Sequence, residues 1–477
     1  MPIPAEPSPA SETEAGCAGE SESGCASELL SASGQPLPRH WFTTIAIVWA
    51  GQAFSILTSY AASFAAVWYV TETTGSALAL SAMSICAYLP MALLAPFGGV
   101  IADRFNRKAV IMLSDLTCGI ASLALGFLVL VGQASIPAIV AMVAVRAACQ
   151  AFHSPAMMAA MPMLVPQKHL LRINTLDMVL ISAAGIVTPA LGIFLYTAFG
   201  FHSVLFIDFF GALAAVTALA FAPFPSVERI GGKSHVLADM KQGVGAFAGH
   251  RGLTILIAFT LLATVAFGPM GALYPLMTYG HFGGDGYMAA VVEAVYAGGM
   301  LVGSVLLMVW GGGKRLALLI AASIAAFGTA VAAAGLLPPS AFSAFAVLCA
   351  VMGFMGALFN SPLITLIQRA IPEDALGRAM GFITAAMSLT SPIGIAIGGA
   401  VAEATGVAAF FLIDGILCAA IGIGMYLPKS VRALDASSAD LAGSADSAPL
   451  AGPAPLADPA DPQQPEYGNP PCGKEQA

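Results

Sequence analysis

Twelve long apolar runs dominate this 477-residue chain, at about 42–70, 76–101, 109–131, 136–160, 174–198, 203–223, 253–279, 287–310, 316–337, 341–366, 379–402 and 406–427. Each is near or above the ~20 residues a helix needs to cross ~30 Å of hydrocarbon. Lipid offers exposed backbone no hydrogen bonds, so such runs have to cross as helices. Charged residues make up only 9% of the chain against 58% hydrophobic. Soluble domains carry about 25% charged residues, so a large water-soluble enzyme is excluded, and the apolar excess excludes disorder throughout. The expected fold class is an all-α membrane protein with twelve transmembrane helices.

The basic residues give an independent count of the spans. Arg39 precedes the first run; Arg104, Arg107 and Lys108 follow the second; Lys168 and Arg172 follow the fourth. Arg229, Lys233, Lys241 and Arg251 follow the sixth, Lys314 and Arg315 the eighth, Arg369 and Arg378 the tenth, and Lys429 and Arg432 the twelfth. The six opposite loops hold none, and Arg146 alone lies mid-span. Lys and Arg mark the cytoplasmic side, which places both termini in the cytoplasm and the chain as a multi-pass protein of the cytoplasmic (inner) membrane. An error of one span would scatter these bases over both faces.

The net charge of -8 sits at the ends. Residues 1–38 carry -6 and residues 428–477 carry -4, while residues 39–427 carry +2. The acidic ends are rich in Pro, Ser, Ala and Gly, with too little apolar surface to offset chain entropy, so both are expected to be disordered. No apolar run precedes Arg39, which argues against a secretory signal. The eight cysteines include no CxxC pair, so neither a disulfide framework nor a zinc site is expected.

The longest loop splits the helices six and six: an N-terminal bundle at 39–223, a linker at 224–252 and a C-terminal bundle at 253–427. The halves also repeat. Val165-Pro166 with Leu170 and Arg172 matches Ile371-Pro372 with Leu376 and Arg378, and Gly200 through Ile207-Asp208 matches Gly406 through Ile413-Asp414, both at an offset of 206. His153-Ser154-Pro155 matches Asn360-Ser361-Pro362 at 207. Two parallel six-helix repeats around a central pathway form a transporter plan.

One loop carries a signature. Gly99-Val100-Ile101-Ala102-Asp103-Arg104-Phe105-Asn106-Arg107-Lys108, between spans 2 and 3, resembles the Gly-x-Leu-Ala-Asp-Arg-x-Gly-Arg-Lys motif of the major facilitator superfamily. Phe152-His153-Ser154-Pro155-Ala156, Arg378-Ala379-Met380-Gly381 and Ser391-Pro392-Ile393-Gly394 resemble its exporter branch of macrolide efflux pumps and the enterobactin exporter. The resemblance covers residues 39–427 and implies the major facilitator fold of two pseudo-symmetric six-helix bundles. It further implies that Gly99, Asp103, Arg104, Arg107 and Lys108 form a cytoplasmic gate, the bases pairing across the two halves or with anionic lipid. Asn106 stands where the motif has Gly, and Asn best tolerates the left-handed turn such a position suggests. Gly311 to Arg315, in the equivalent place of the second half, has no acid and lacks the GxxxxGK[ST] of a nucleotide-binding loop.

Arg146 is the most informative single residue. A cation near the bilayer midplane has to face a cavity or a partner, and Asp115 on span 3 is one candidate. Gln150 and His153 extend a polar stripe along the same helix. In the resembled drug antiporters an Arg here is linked to proton coupling. Glu293 in span 8, with Tyr296 at i+3, is a second proton-coupling candidate, and Asp115 a third; their alternatives are structural pairing or packing. Asp208 and Asp414 read as structural acids near helix starts, where the dipole favours them. Gln52, Ser55 and Ser59 on span 1, with Tyr274 and Asn360, are cavity candidates, although small polar residues also serve helix packing. Pro189 and Gly192 in span 5 resemble an antiporter Gly-Pro-x-x-Gly-Gly motif, or mark a plain proline kink.

These residues point to a secondary active exporter of a small amphipathic organic molecule (drug, siderophore or related metabolite), driven by proton antiport through alternating access. Its partners are the bilayer, the substrate and protons, with no cofactor, metal or nucleic acid, and one chain suffices as a functional monomer. Uptake of a small nutrient is the alternative, and a signalling or assembly protein a remote one. HExxH and GxSxG are absent, so no catalytic residue is assigned.

Overall fold

The computed structural model describes residues 41–222, 250–371 and 373–435. Twelve helices in it are long and apolar enough to cross a membrane. They are α1 (Trp41–Thr74), α2 (Ala77–Arg104), α3 (Arg107–Leu130), α4 (Ile136–Leu164), α5 (Gln167–Phe199), α6 (Phe201–Phe221), α7 (Arg251–Leu276), α8 (Gly286–Trp310), α9 (Leu316–Gly335), α10 (Phe342–Ala370), α11 (Glu373–Thr405) and α12 (Val407–Met425). A π-helical turn, Met277–His281, extends α7. No strand occurs among the described residues.

Local chemistry explains the helix ends. Ser76, Asn106, Ser135 and Asp285 each sit just before a helix and accept a hydrogen bond from the amide three residues on, satisfying one of the orphan donors of a first turn. Asn106 is a correction to the left-handed turn expected of it: its φ is -63° and its side chain caps α3. Gly200 and Gly406 have φ of +82° and +85°, with ψ of 162° and 150°, a region essentially reserved for glycine. Each is the one residue joining α5 to α6 or α11 to α12, which explains why the repeat preserves glycine there. Helices α5 and α11 start earlier than the apolar runs, at Gln167 and Glu373 rather than about 174 and 379. Their polar first turns lie beyond the lipid-buried stretch that hydropathy reports.

The packing repeats as the sequence does. In the first half α1 packs on α5 and α6, α2 on α4, and α3 on α4 and α6; in the second α7 packs on α11 and α12, α8 on α10, and α9 on α10 and α12. The halves meet where α2 contacts α11 and α5 contacts α8, two contacts that exchange when the repeats exchange. Small residues bring helices close: a Cβ added to Gly192 on α5 would lie 2.6 Å from the carbonyl oxygen of Ala61 on α1. Large apolar side chains such as Leu113, Phe210 and Trp310 face outward, as a lipid-bathed surface requires.

The expected linker and tails fall mostly outside the described residues. The chain re-enters at His250, and α7 starts at Arg251 rather than 253. Residues 429–435, expected to belong to a disordered C-terminal tail from 428, are helical. Asp435 accepts hydrogen bonds from the amides of Ala317 (2.8 Å) and Leu318 (3.1 Å) at the start of α9, and from the Tyr426 hydroxyl (3.1 Å).

Candidate functional site: a central cavity

A cavity of about 1370 Å³ lies between the two halves, with walls from both. Its lining includes the candidates Gln52, Ser55, Ser59, Asp115, Arg146, Gln150, His153, Tyr274, Glu293, Tyr296 and Asn360. Pro189 and Gly192 are not in it; Gly192 serves the α1–α5 contact instead.

Arg146 sits about ten residues, or ~15 Å, into α4. Its guanidinium pairs with the Asp208 carboxylate of α6, and also donates to Ser122 Oγ of α3 at 3.1 Å and to the Ser59 carbonyl of α1 at 3.2 Å. Asp208 is 1% exposed and accepts from Ser59 Oγ at 2.7 Å and Ser122 Oγ at 2.6 Å. Four helices are thereby tied around one ion pair. Two expectations are corrected here. The partner of Arg146 is Asp208, not Asp115, and Asp208 is no helix-start acid, because it lies about two turns into α6, beyond the first turn where the dipole acts.

Asp115 belongs to a second cluster nearer the basic end. Gln52 Nε2 donates to it at 3.0 Å. His153 Nε2 lies 3.3 Å from its other oxygen without hydrogen-bonding alignment, an ion-pair contact when the ring is protonated. Gln150 donates to Ser154 at 2.9 Å. The second half copies the acid but not its partner: Asp414, the repeat counterpart of Asp208, is also buried, while positions 352 and 353, at the two repeat offsets from Arg146, hold Met352 and Gly353.

Glu293 lies on α8 facing the cavity, and it has no hydrogen-bond or ion-pair partner among the described residues. Tyr274 donates to the Met352 sulfur at 3.2 Å and packs near Tyr296, ring centres 5.9 Å apart. Ten of the chain's 21 methionines line the cavity, a feature that hydropathy alone does not separate from other apolar residues. Thioether chains are flexible and polarizable, and refill gaps around ligands of different shape.

The gate motif is only partly visible. Gly99 and Asp103 lie in the last turns of α2, and their side chains are outside the described set. Arg104 ends α2 and is exposed. Arg107 donates to the Ala159 carbonyl at 3.2 Å, and Lys108 to the carbonyls of Ala220 and Ala222 at 2.9 and 2.8 Å. These three contacts lie within the first half.

Hydrogen bonds join the halves at the end opposite the bases. Glu403, at the end of α11, accepts from Ser76 Oγ at 3.0 Å and from the Leu78 amide at 3.1 Å, capping α2 across the interface. Thr197 and Tyr287 hydroxyls meet at 3.0 Å beside them in the α5–α8 contact. The cavity is thus clamped at that end, while its lining reaches Trp49, Met161 and Asp177 towards the basic end.

Two helical repeats enclosing a polar-centred cavity, clamped at one end, define a membrane transporter. The chain belongs to the major facilitator superfamily, whose model matches residues 48–327 and 260–455. It is 32% identical over 398 residues to macrolide efflux protein A of Streptococcus pyogenes, covering 83% of this chain and 98% of that protein. It is 25% identical to the multidrug efflux pump Tap of Mycolicibacterium fortuitum, over 78% of this chain and 92% of that one. Such relatives are efflux transporters rather than enzymes. Among solved structures, a POT family transporter in complex with a thioalcohol-conjugated peptide superposes with a TM-score of 0.64 at 13% identity, over 84% of this chain and 99% of that one. A D-xylose–proton symporter gives 0.60 at 14%, over 82% and 99%. At these identities the structural likeness establishes the fold.

Proposed function

We propose that this transporter exports a small amphipathic organic molecule from the cytoplasm in exchange for protons, with macrolides the first class to test and siderophores or other drugs next. The observation that carries the reading is the Arg146–Asp208 pair, whose arginine lines a cavity clamped at one end while the acid lies buried behind it. Protonating Asp208 removes the charge that holds Arg146, and frees a guanidinium that ties α1, α3 and α4 together. A proton and a change of helix packing are thereby joined in one place. Glu293, unpaired across the cavity, supplies a second exchangeable proton near the substrate.

The basic end faces the cytoplasm on the positive-inside rule, so the cavity here is accessible from within and the Glu403 clamp shuts the outer face. Breaking that clamp while closing the basic end is the alternating step, two rigid halves rocking about a midplane site. The gate residues Gly99, Asp103, Arg104, Arg107 and Lys108 would close the basic end in the other state. The names of the efflux relatives support the export direction.

The test is direct. A thermal-shift panel of macrolides, siderophores and tetracyclines selects a ligand. Proteoliposomes holding an internal pH dye then report proton movement when that ligand is added. Substrate-driven proton flux, lost in Arg146→Ala with Glu293→Gln, is expected. Transport without proton movement, or full coupling in the double variant, overturns the proposal.

A further inference from the structure

Two contacts fix how α3 and α4 face each other. Asp115 on α3 meets His153 on α4 at 3.3 Å, and Ser122 on α3 meets Arg146 on α4 at 3.1 Å. The numbers rise along one helix as they fall along the other, so the two run antiparallel. Residues three and four apart share a helix face. Cys118 stands three residues after Asp115 and four before Ser122, and Cys149 stands three after Arg146 and four before His153. The same register therefore sets the two cysteines opposite each other, between the two contacts, and their thiols meet side chain to side chain.

Neither thiol belongs to the ion pairs already described. Both are half-buried, and Cys118 lines the central cavity, which gives a small solute a path to its sulfur. Cys349 and Cys418, by contrast, are buried. Thiols that oxidise reversibly sit beside cationic side chains in partly exposed places. Arg146 and His153 supply that setting from α4, opposed by Asp115 on α3. On the positive-inside rule the cavity opens to the cytoplasm, a compartment where a disulfide is transient and regulatory rather than structural.

We propose that Cys118 and Cys149 are a site of reversible oxidation by peroxide, and that the disulfide they form holds α3 against α4 beside the Arg146–Asp208 pair. The Cys118 sulfur attacks hydrogen peroxide: an S–O bond forms, the O–O bond breaks, and the departing hydroxide takes up the thiol proton as water. The Cys149 sulfur then attacks the Cys118 sulfur: the S–S bond forms, the S–O bond breaks, and a second water leaves. Two thiols lose two electrons and one peroxide gains them. A cytoplasmic dithiol restores both thiols by exchange and is itself oxidised. The bridge lies one turn from the Ser122–Arg146 hydrogen bond, so it pins the spacing that has to change when Arg146 is released. That consequence rests on the export reading; the oxidation itself does not.

The test treats the full chain in lipid nanodiscs with hydrogen peroxide, then alkylates, digests and reads it by peptide mass spectrometry. A linked Cys118–Cys149 peptide pair, lighter by two hydrogens and split by dithiothreitol, is expected. In Cys149→Ser, Cys118 should stay as the sulfenic acid and take dimedone, and in Cys118→Ser the labelling of Cys149 should be at least threefold weaker. Phenylarsine oxide, which bridges neighbouring thiols with loss of one water and no oxidation, should shield both from alkylation. Both thiols still alkylated after peroxide, Cys118 linked to a different cysteine, or no shielding by phenylarsine oxide each overturn the site. In proteoliposomes, oxidation should slow substrate-driven proton flux at least threefold and dithiothreitol should restore it, while Cys118→Ser with Cys149→Ser should be indifferent to peroxide. Flux unchanged by a bridge confirmed by mass overturns its effect on coupling. Absence of flux in the reduced protein overturns the export reading instead, and the mass result, which needs no transport, still judges the site.

Discussion

Arg146 on α4 and Asp208 on α6 form an ion pair that Ser59 and Ser122 complete from α1 and α3. Its energetics give the first prediction. Removing one member of a buried pair leaves the other uncompensated, at about 3–5 kcal/mol, whereas replacing both with apolar groups of similar size is often neutral. Arg146→Ala should lower thermal stability in detergent by that order. Arg146→Met combined with Asp208→Leu should recover most of the loss while abolishing substrate-driven proton flux. Equal instability of single and double variants would show that the pair is not the source.

The Glu403 clamp should set the balance between the two ends. Its two hydrogen bonds from Ser76 and Leu78 are partly solvated, so together they contribute about 1 kcal/mol. Glu403→Ala should shift the population towards the state open at that end by roughly fivefold on the same figure. Spin labels at Thr74 and Thr405, both exposed there, would show a longer-distance component growing by electron–electron resonance. An unchanged distribution would rule out the clamp as a latch.

How far this was legible in the sequence depends on what each signal measures. Hydropathy and the one-sided bases located all twelve helices, because lipid imposes both. Arg146 stood out because a charge in mid-span is rare. Its partner did not, since Asp208, Asp115 and Asp414 are alike as letters and only helix rotation decides which faces Arg146. One signal was available for Asp208: it stands eight residues past Gly200, too deep for a helix-start acid. The polar first turns of α5 and α11 were missed because hydropathy reports lipid burial rather than helix length. The methionine lining was missed because methionine counts simply as apolar.

The two linking glycines allow a test of the repeat. At Gly406 an added Cβ meets nothing within 4 Å, so Gly406→Ala isolates backbone strain. With φ of +85° and ψ of 150°, the cost should be about 1–3 kcal/mol. Gly200→Ala should cost at least as much, since its Cβ also lies 3.1 Å from the His202 ring. Gly271, where a Cβ is equally free and φ is ordinary for a helix, is the control, and Gly271→Ala should be neutral or slightly stabilising. Thermal unfolding of the three variants checks the order, and a neutral Gly406→Ala would count against the strained link.

Asp435 does for α9 what an N-cap residue does within a chain segment, but from the far end of the sequence. Arg315, just before α9, makes no side-chain cap, and the Asp435 carboxylate takes the amides of the second and third helix residues, Ala317 and Leu318, instead. It also holds the Tyr426 hydroxyl at the end of α12, so one side chain joins α9, α12 and the terminal helix. Loss of a capping carboxylate costs about 0.5–2 kcal/mol. Asp435→Ala should cost that much in thermal stability, and Asp435→Asn should keep part of it, since an amide oxygen still accepts. Amide exchange at Ala317 and Leu318 should speed up in Asp435→Ala, with exchange in the first half of the protein unchanged. Faster exchange spread evenly over the chain would mean general destabilisation rather than loss of this cap.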